Sequence, residues 1–228
     1  MEAVTRTTAE DRGQGGATGV LCALPEELGS LVERARGRRT LTGLEILEVE
    51  LAGCEVLACV GGVGKVHAAR AAALLIAAGA TRRLLVVGVC GGLRRSLAPG
   101  TLVHCTRAVQ ADLALREGRE VDADPSLRDA WGRAAPGPQG WFVTADRPAL
   151  SLWRRLRLAR AFIGPCVADM ETAAAAAVAQ AAGVPWAALR AVTDGLAPGG
   201  VRAFHEHYPG QAGRAADTVE GLLRGLRT

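Results

Sequence analysis

Val184-Pro-Trp-Ala-Ala-Leu-Arg-Ala-Val-Thr-Asp194 follows an alanine-rich stretch that opens on Asp169-Met170-Glu171. The earlier stretch has helical period from Met170 to Ala182, and the later one is a short apolar run, Trp186 to Val192, that leads to a carboxylate. A helix feeding an apolar strand is the repeating unit of an α/β sheet. The alternation continues outward in both directions. Further strands are expected at Gly19 to Leu24, Leu44 to Leu51, Glu55 to Val60, Leu84 to Val89, Thr101 to Val109 and Trp141 to Val143. Further helices are expected at Glu26 to Arg36, Lys65 to Ala78, Pro125 to Ala134, Leu150 to Phe162 and Gln211 to Leu226. Asp124 before Pro125 supplies a cap and a first helical position, and Pro136-Gly-Pro-Gln-Gly140 reads as a loop. The pattern predicts an α/β protein, a three-layer α/β/α sandwich around a central mixed sheet.

With 228 residues, 49% of them hydrophobic, the chain can bury one sizeable core. One domain is expected from residue 18 to residue 228, after a polar, Gly-rich tail, residues 1–17, expected to be disordered. The formal charge of +4 rests on arginine, because Lys65 is the only lysine. The arginines lie scattered or in short pairs such as Arg38-Arg39 and Arg154-Arg155, without the interleaved aromatics of a base-stacking surface. Nucleic acid is therefore not an expected partner. Cysteines at 22, 54, 59, 90, 105 and 166 never form the close pairs of zinc or redox motifs. They read as reduced core thiols of a cytoplasmic protein, with no signal peptide, no membrane span and no metal.

In open α/β sheets, ligands bind beyond the carboxyl ends of the strands. Here those ends carry Pro25-Glu26-Glu27, Gly61-Gly62-Val63-Gly64-Lys65, Gly88-Val-Cys-Gly-Gly92 and Asp194-Gly195. The run at 61–65 could cradle an anion, but Cys59 and Val66 break a Walker loop and His67 breaks a dinucleotide fingerprint. Gly88-Val-Cys-Gly-Gly92 has the spacing of a nucleophile elbow with sulfur for hydroxyl, so a cysteine hydrolase based on Cys90 is a rival, with His67, His104, His205 or His207 as its base. His205 and His207 flank Glu206 before Pro209-Gly210, which reads as a polar loop. The helix dipole favours acids at Asp169 and Glu171, and capping explains Asp169 better than Glu171. Asp194, at the end of an apolar strand, is placed for general-acid work.

In their order, these segments resemble the methylthioadenosine and S-adenosylhomocysteine nucleosidases of the nucleoside phosphorylase superfamily, from about Gly19 to the final helix. The resemblance lies in Gly19-Val-Leu-Cys-Ala-Leu-Pro-Glu-Glu27, Gly62-Val-Gly-Lys65, Gly88-Val-Cys-Gly-Gly92 and Gly100-Thr-Leu-Val103. Most specific is Val167-Ala-Asp-Met-Glu-Thr-Ala173 followed by Val184 to Asp194. It implies hydrolysis of the N-glycosidic bond of a purine nucleoside, of 5′-substituted adenosine type, without metal or organic cofactor. Such cleavage passes through an oxocarbenium-like sugar, so it wants a carboxylate near the ribose hydroxyls and an acid for the departing base.

The resemblance further implies that Asp194 is that acid and that Glu27 orients the attacking water. Glu171 would face the ribose, Met170 would pack beneath it, and Thr193 would support Asp194. Asp146 would contact the base, and Gly91 and Phe204 complete the substrate-binding set. Two positions depart from the family pattern: Val89 stands where a small hydroxyl is expected, and Pro148 where a stacking Phe is usual. A bulkier 5′-substituent, as in futalosine or adenosylhopane, therefore stays open. Phosphorolysis is the neighbouring alternative, but the acidic first turn would repel phosphate and lacks the arginines that hold it. A nucleoside-binding protein without turnover is a third reading. A homodimer or larger homo-oligomer is expected from the resemblance alone.

Overall fold

The computed structural model describes residues 16–115, 117–196 and 200–227. Ten strands form one mixed sheet: β1 (Thr18–Cys22), β2 (Ala35–Leu41), β3 (Leu44–Leu51), β4 (Cys54–Val60), β5 (Arg83–Gly92), β6 (Leu102–Gln110), β7 (Glu120–Asp122), β8 (Gln139–Thr144), β9 (Cys166–Asp169) and β10 (Trp186–Asp194). The order is β10-β6-β8-β9-β5-β1-β4-β3-β2, with β7 on β6. A further parallel pairing of β10 with β5 curls one end of the sheet upon itself. The helices are α1 (Lys65–Ala77), α2 (Pro125–Ala134), α3 (Leu152–Ala159), α4 (Thr172–Ala181), α5 (Gly200–Gln211), α6 (Arg214–Asp217) and α7 (Val219–Gly225).

Two apolar layers explain the arrangement. One packs Ala71 and Leu75 of α1 and Ala175 and Ala179 of α4 on one face of the sheet. The other packs Leu31, Trp131, Val219 and Leu222 on the opposite face. β5 and β10 lie between the layers and are almost wholly buried on both faces, as strands covered on both sides must be. The three-layer α/β sandwich with a mixed sheet, expected from the sequence, is the fold observed.

Departures from the expected elements have local causes. The helix expected from Glu26 to Arg36 is a 3-10 turn, Pro25–Leu31, broken at Gly29 (φ 52°). After it the chain enters β2, an edge strand whose Arg36, Arg38 and Arg39 pair with Glu50, Glu45 and Glu48 of β3. The charges suit an exposed edge. His205 and His207 lie in α5, so the polar loop expected there is a helix, with Pro209 in its last turn. The single final helix is split at Thr218, whose hydroxyl bonds Ala215 O at 2.7 Å and accepts from the Trp131 indole. Of the tail, residues 1–15 lie outside the described residues, while Ala17 is buried with its N–H on Gly79 O.

Close strand packing gives a test of the fold. A Cβ at Gly140 would stand 2.2 Å from Pro165 O, a backbone atom that cannot step aside, whereas Gly132 sits inside α2 with nothing within 4 Å. In urea denaturation Gly140→Ala is expected to lose about 1–3 kcal/mol or more, and Gly132→Ala to gain about 0.5–1 kcal/mol. Equal effects from the two substitutions would contradict the packing described.

Candidate active site

The carboxyl ends of β1, β5, β9 and β10 meet at one cavity of about 250 Å³. Glu27, Gly91, Met170, Glu171, Thr193, Asp194 and Phe204 all line it. These residues are distant in sequence, and the mixed sheet with the segments that follow its strands brings them together. Asp146 is the exception: it does not line the cavity, and its carboxylate lies 3.2 Å from Lys65 Nζ. Its neighbours in the same loop, Arg147, Pro148 and Ala149, do line the cavity.

Three of the four buried carboxylates in the lining, Glu27, Glu171 and Asp194, sit in different settings. Glu27 leaves the 3-10 turn and accepts from the backbone N–H groups of Ala23 (2.8 Å) and Leu24 (3.0 Å) through Oε2, and of Val89 (2.9 Å) through Oε1. Only a glycine allows this reach, because a Cβ at Gly88 (φ 139°) would stand 2.5 Å from Glu27 Oε1. Glu171, at the start of α4, accepts from Gly64 N–H at 2.9 Å and from Arg190 Nη2 at 3.1 Å. Burial pushes its carboxyl above the usual range, and the Arg190 guanidinium pulls against that shift. Asp194, the last residue of β10, pairs with Arg155 Nη2 of α3, and the Thr193 hydroxyl lies 2.8 Å from its Oδ1.

Two arginines organise these acids. Arg190 is wholly enclosed in β10; it reaches Glu171, Val89 O at 2.8 Å and the Thr172 hydroxyl, and its Nε lies 3.3 Å from Asp169 Oδ2. Asp169 also accepts from the N–H groups of Glu171 and Thr172 through Oδ1, so it does cap the start of α4. Arg155 spans Asp194, Gly195 O and Ala149 O. Neither arginine was singled out from the sequence. An arginine inside an apolar strand was a legible signal for Arg190, since such a charge must find partners. Arg155 lies in a basic, amphipathic helix whose face cannot be assigned without the tertiary fold.

The cysteine-hydrolase rival fails on geometry. Cys90 lines the cavity, but its Sγ lies 3.7 Å from Ala191 O and burial drives its thiol pKa up, away from thiolate. No described histidine lines the cavity. His104 is buried with Nε2 2.7 Å from Ala135 O, and His207 Nδ1 lies 2.8 Å from Ala203 O within α5. All six thiols are free, and five are buried. No described helix is long and apolar enough to cross a membrane.

A family model described as the phosphorylase superfamily matches residues 17–226. The chain belongs to that superfamily. Among curated members, it is similar to a 5′-methylthioadenosine/S-adenosylhomocysteine nucleosidase of Treponema pallidum, 29% identical over 78% of this chain and 80% of the relative. One of Shewanella halifaxensis is 26% identical over 91% of this chain and 99% of the relative. Among solved structures, the Neisseria meningitidis nucleosidase in complex with methylthio-immucillin-A is 25% identical, with a TM-score of 0.84 over 92% of this chain and 99% of the other. The superfamily fold therefore brings the acids of this chain to one cavity.

The Arg155–Asp194 pair has accessible fractions of only 4% and 5%, so breaking it leaves a buried charge alone. Arg155→Met is expected to cost about 3–5 kcal/mol of unfolding free energy. Adding Asp194→Asn in the same chain should recover most of the loss, as read by chemical denaturation. Strict additivity of the two substitutions would mean that the pair contributes nothing.

Proposed function

We propose that the chain hydrolyses the N-glycosidic bond of a purine nucleoside of the 5′-substituted adenosine type, releasing free base and sugar. The observation that carries this reading is the convergence of Glu27, Glu171 and Asp194 on one cavity, each with different partners. Asp194 relays a proton to the departing purine, and Arg155 balances the carboxylate that it carries before and after the transfer. Glu171 accepts from the ribose hydroxyls and favours the positive charge that grows on the sugar. Glu27 orients a water and takes its proton as the oxygen joins the anomeric carbon. Met170 packs under the ribose, and Thr193 holds Asp194 in place.

Water is favoured over phosphate by the state of Glu27. Its carboxylate already occupies the N–H groups of Ala23, Leu24 and Val89, and a dianion there would meet a buried negative charge instead of free donors. Val89 and Pro148 both line the cavity and change its wall from the pattern usual in the nucleosidases. A homo-oligomer belongs to the same reading, supported by the exposed apolar Val66, Leu150 and Trp153.

Base release from 5′-methylthioadenosine, followed by chromatography, tests the roles. Asp194→Asn should slow cleavage by about 10²- to 10⁴-fold, the worth of general-acid catalysis, while nucleoside binding stays within a few-fold. Glu171→Gln should weaken binding as well as slow the chemistry, because its charge faces the ribose before and during bond breaking. An Asp194→Asn enzyme within a few-fold of wild type would mean that another group protonates the purine.

A further inference from the structure

α1 starts at the junction of two walls of the cavity. The N–H of Gly64, just before the helix, carries Glu171 Oε1. The side chain of the next residue, Lys65, reaches the other way: its Nζ lies 2.7 Å from Asp112 Oδ1 and 3.2 Å from Asp146 Oδ2. The second oxygen of Asp112 accepts from the backbone N–H of Asp146 at 2.8 Å. Asp146 opens the segment between β8 and α3, of which Arg147, Pro148 and Ala149 line the cavity. At the far end of that segment Ala149 O accepts from Arg155, which also holds Asp194.

On the reading of the site given above, we propose that Lys65 is a positioning residue that fixes the base-side wall, residues 145–150, at a set distance from the ribose carboxylate Glu171. It touches no reacting atom. Its leverage comes from charge and enclosure. An isolated surface ion pair contributes little, but a network in a partly dry setting contributes more. The Lys65 side chain is 16% accessible and serves two carboxylates at once, of which Asp112 is 34% and Asp146 63% accessible, so solvent weakens the Asp146 arm and the Asp112 arm carries most of the hold. Burial works against its charge, and the bonds to Asp112 and Asp146 outweigh that, holding the ammonium above the ordinary lysine value. Removing the ammonium leaves the bond from the Asp146 N–H to Asp112 as the remaining tie between the two residues, and the 145–150 wall loosens. The wall meets the substrate equally in the ground and transition states, so its loss appears in KM rather than in kcat.

The test compares Lys65→Met, Lys65→Arg and Asp146→Asn with wild type, using 5′-methylthioadenosine and amide hydrogen exchange of the peptide that spans 145–150. Lys65→Met should raise KM tenfold or more with kcat within threefold, and should speed exchange of that peptide at least tenfold without changing β5. Lys65→Arg should stay within threefold of wild type in both constants, and Asp146→Asn should raise KM in the same direction by less. A Lys65→Met KM within twofold of wild type, equal losses of kcat in the Met and Arg variants, or unchanged exchange would overturn the proposal. If wild type releases no base from this nucleoside, the hydrolase reading fails separately. Exchange then decides alone: faster exchange in Lys65→Met supports the wall-holding role, and unchanged exchange ends it.

Discussion

Arg190 is the charge on which the site depends. It stands in the middle of a nine-residue strand that is buried throughout, and it cannot be hydrated there. Its partners therefore have to come to it: Val89 O from β5, Asp169 from the end of β9, and Glu171 and Thr172 from the start of α4. Separate segments are drawn together by one guanidinium, and the cavity opens where they meet. Removing one member of such a buried network leaves an uncompensated charge, which costs more than the intact network contributes. The polar cluster thus specifies the arrangement of the strand ends, while the apolar layers on either side supply the stability.

Of the four acids that line the cavity, Asp169 and Glu171 share Arg190, while Glu27 and Asp194 have partners of their own. Carboxylates that share a site disturb one another's ionisation, and one of them tends to hold a proton. Here Glu27 accepts from backbone N–H groups, Glu171 meets Arg190 and a glycine N–H, and Asp194 meets Arg155 and a hydroxyl. On the proposed function, the first environment orients water, the second meets the ribose, and the third exchanges a proton with the base. The glycines at 88 and 64 belong to this division, the first giving Glu27 room and the second giving Glu171 a donor.

Most of this was legible in the sequence where period and burial agree. β3 and β4 follow the expected bounds within one residue, whereas β5 and β10 run past their expected ends, to Gly92 and Asp194, so that Gly88 to Gly92 is strand and not a turn. β2 was not legible, because an arginine-rich edge strand stabilised by cross-strand ion pairs looks like the end of a charged helix. β9 is only four residues and exists because β5 and β8 flank it. α5 was hidden by Pro209-Gly210, which local rules read as a loop. The acids of the site were found because strand ends are where such residues gather, whereas Arg155, Arg190 and Lys65 act through distant partners. Asp146 shows the limit most clearly: its loop reaches the cavity, but its own side chain is claimed by a lysine eighty-one residues earlier in the chain.

The nature of the nucleophile tests the whole arrangement, because Glu27 on three backbone donors has meaning only if water attacks. The decisive measurement is turnover of 5′-methylthioadenosine in phosphate-free buffer, with the sugar product identified by mass spectrometry in wild type and in Glu27→Gln. The account predicts free adenine and an unphosphorylated sugar from the wild-type enzyme, and a large loss of rate in Glu27→Gln. Turnover that requires phosphate and yields a sugar phosphorylated at carbon 1 would contradict it.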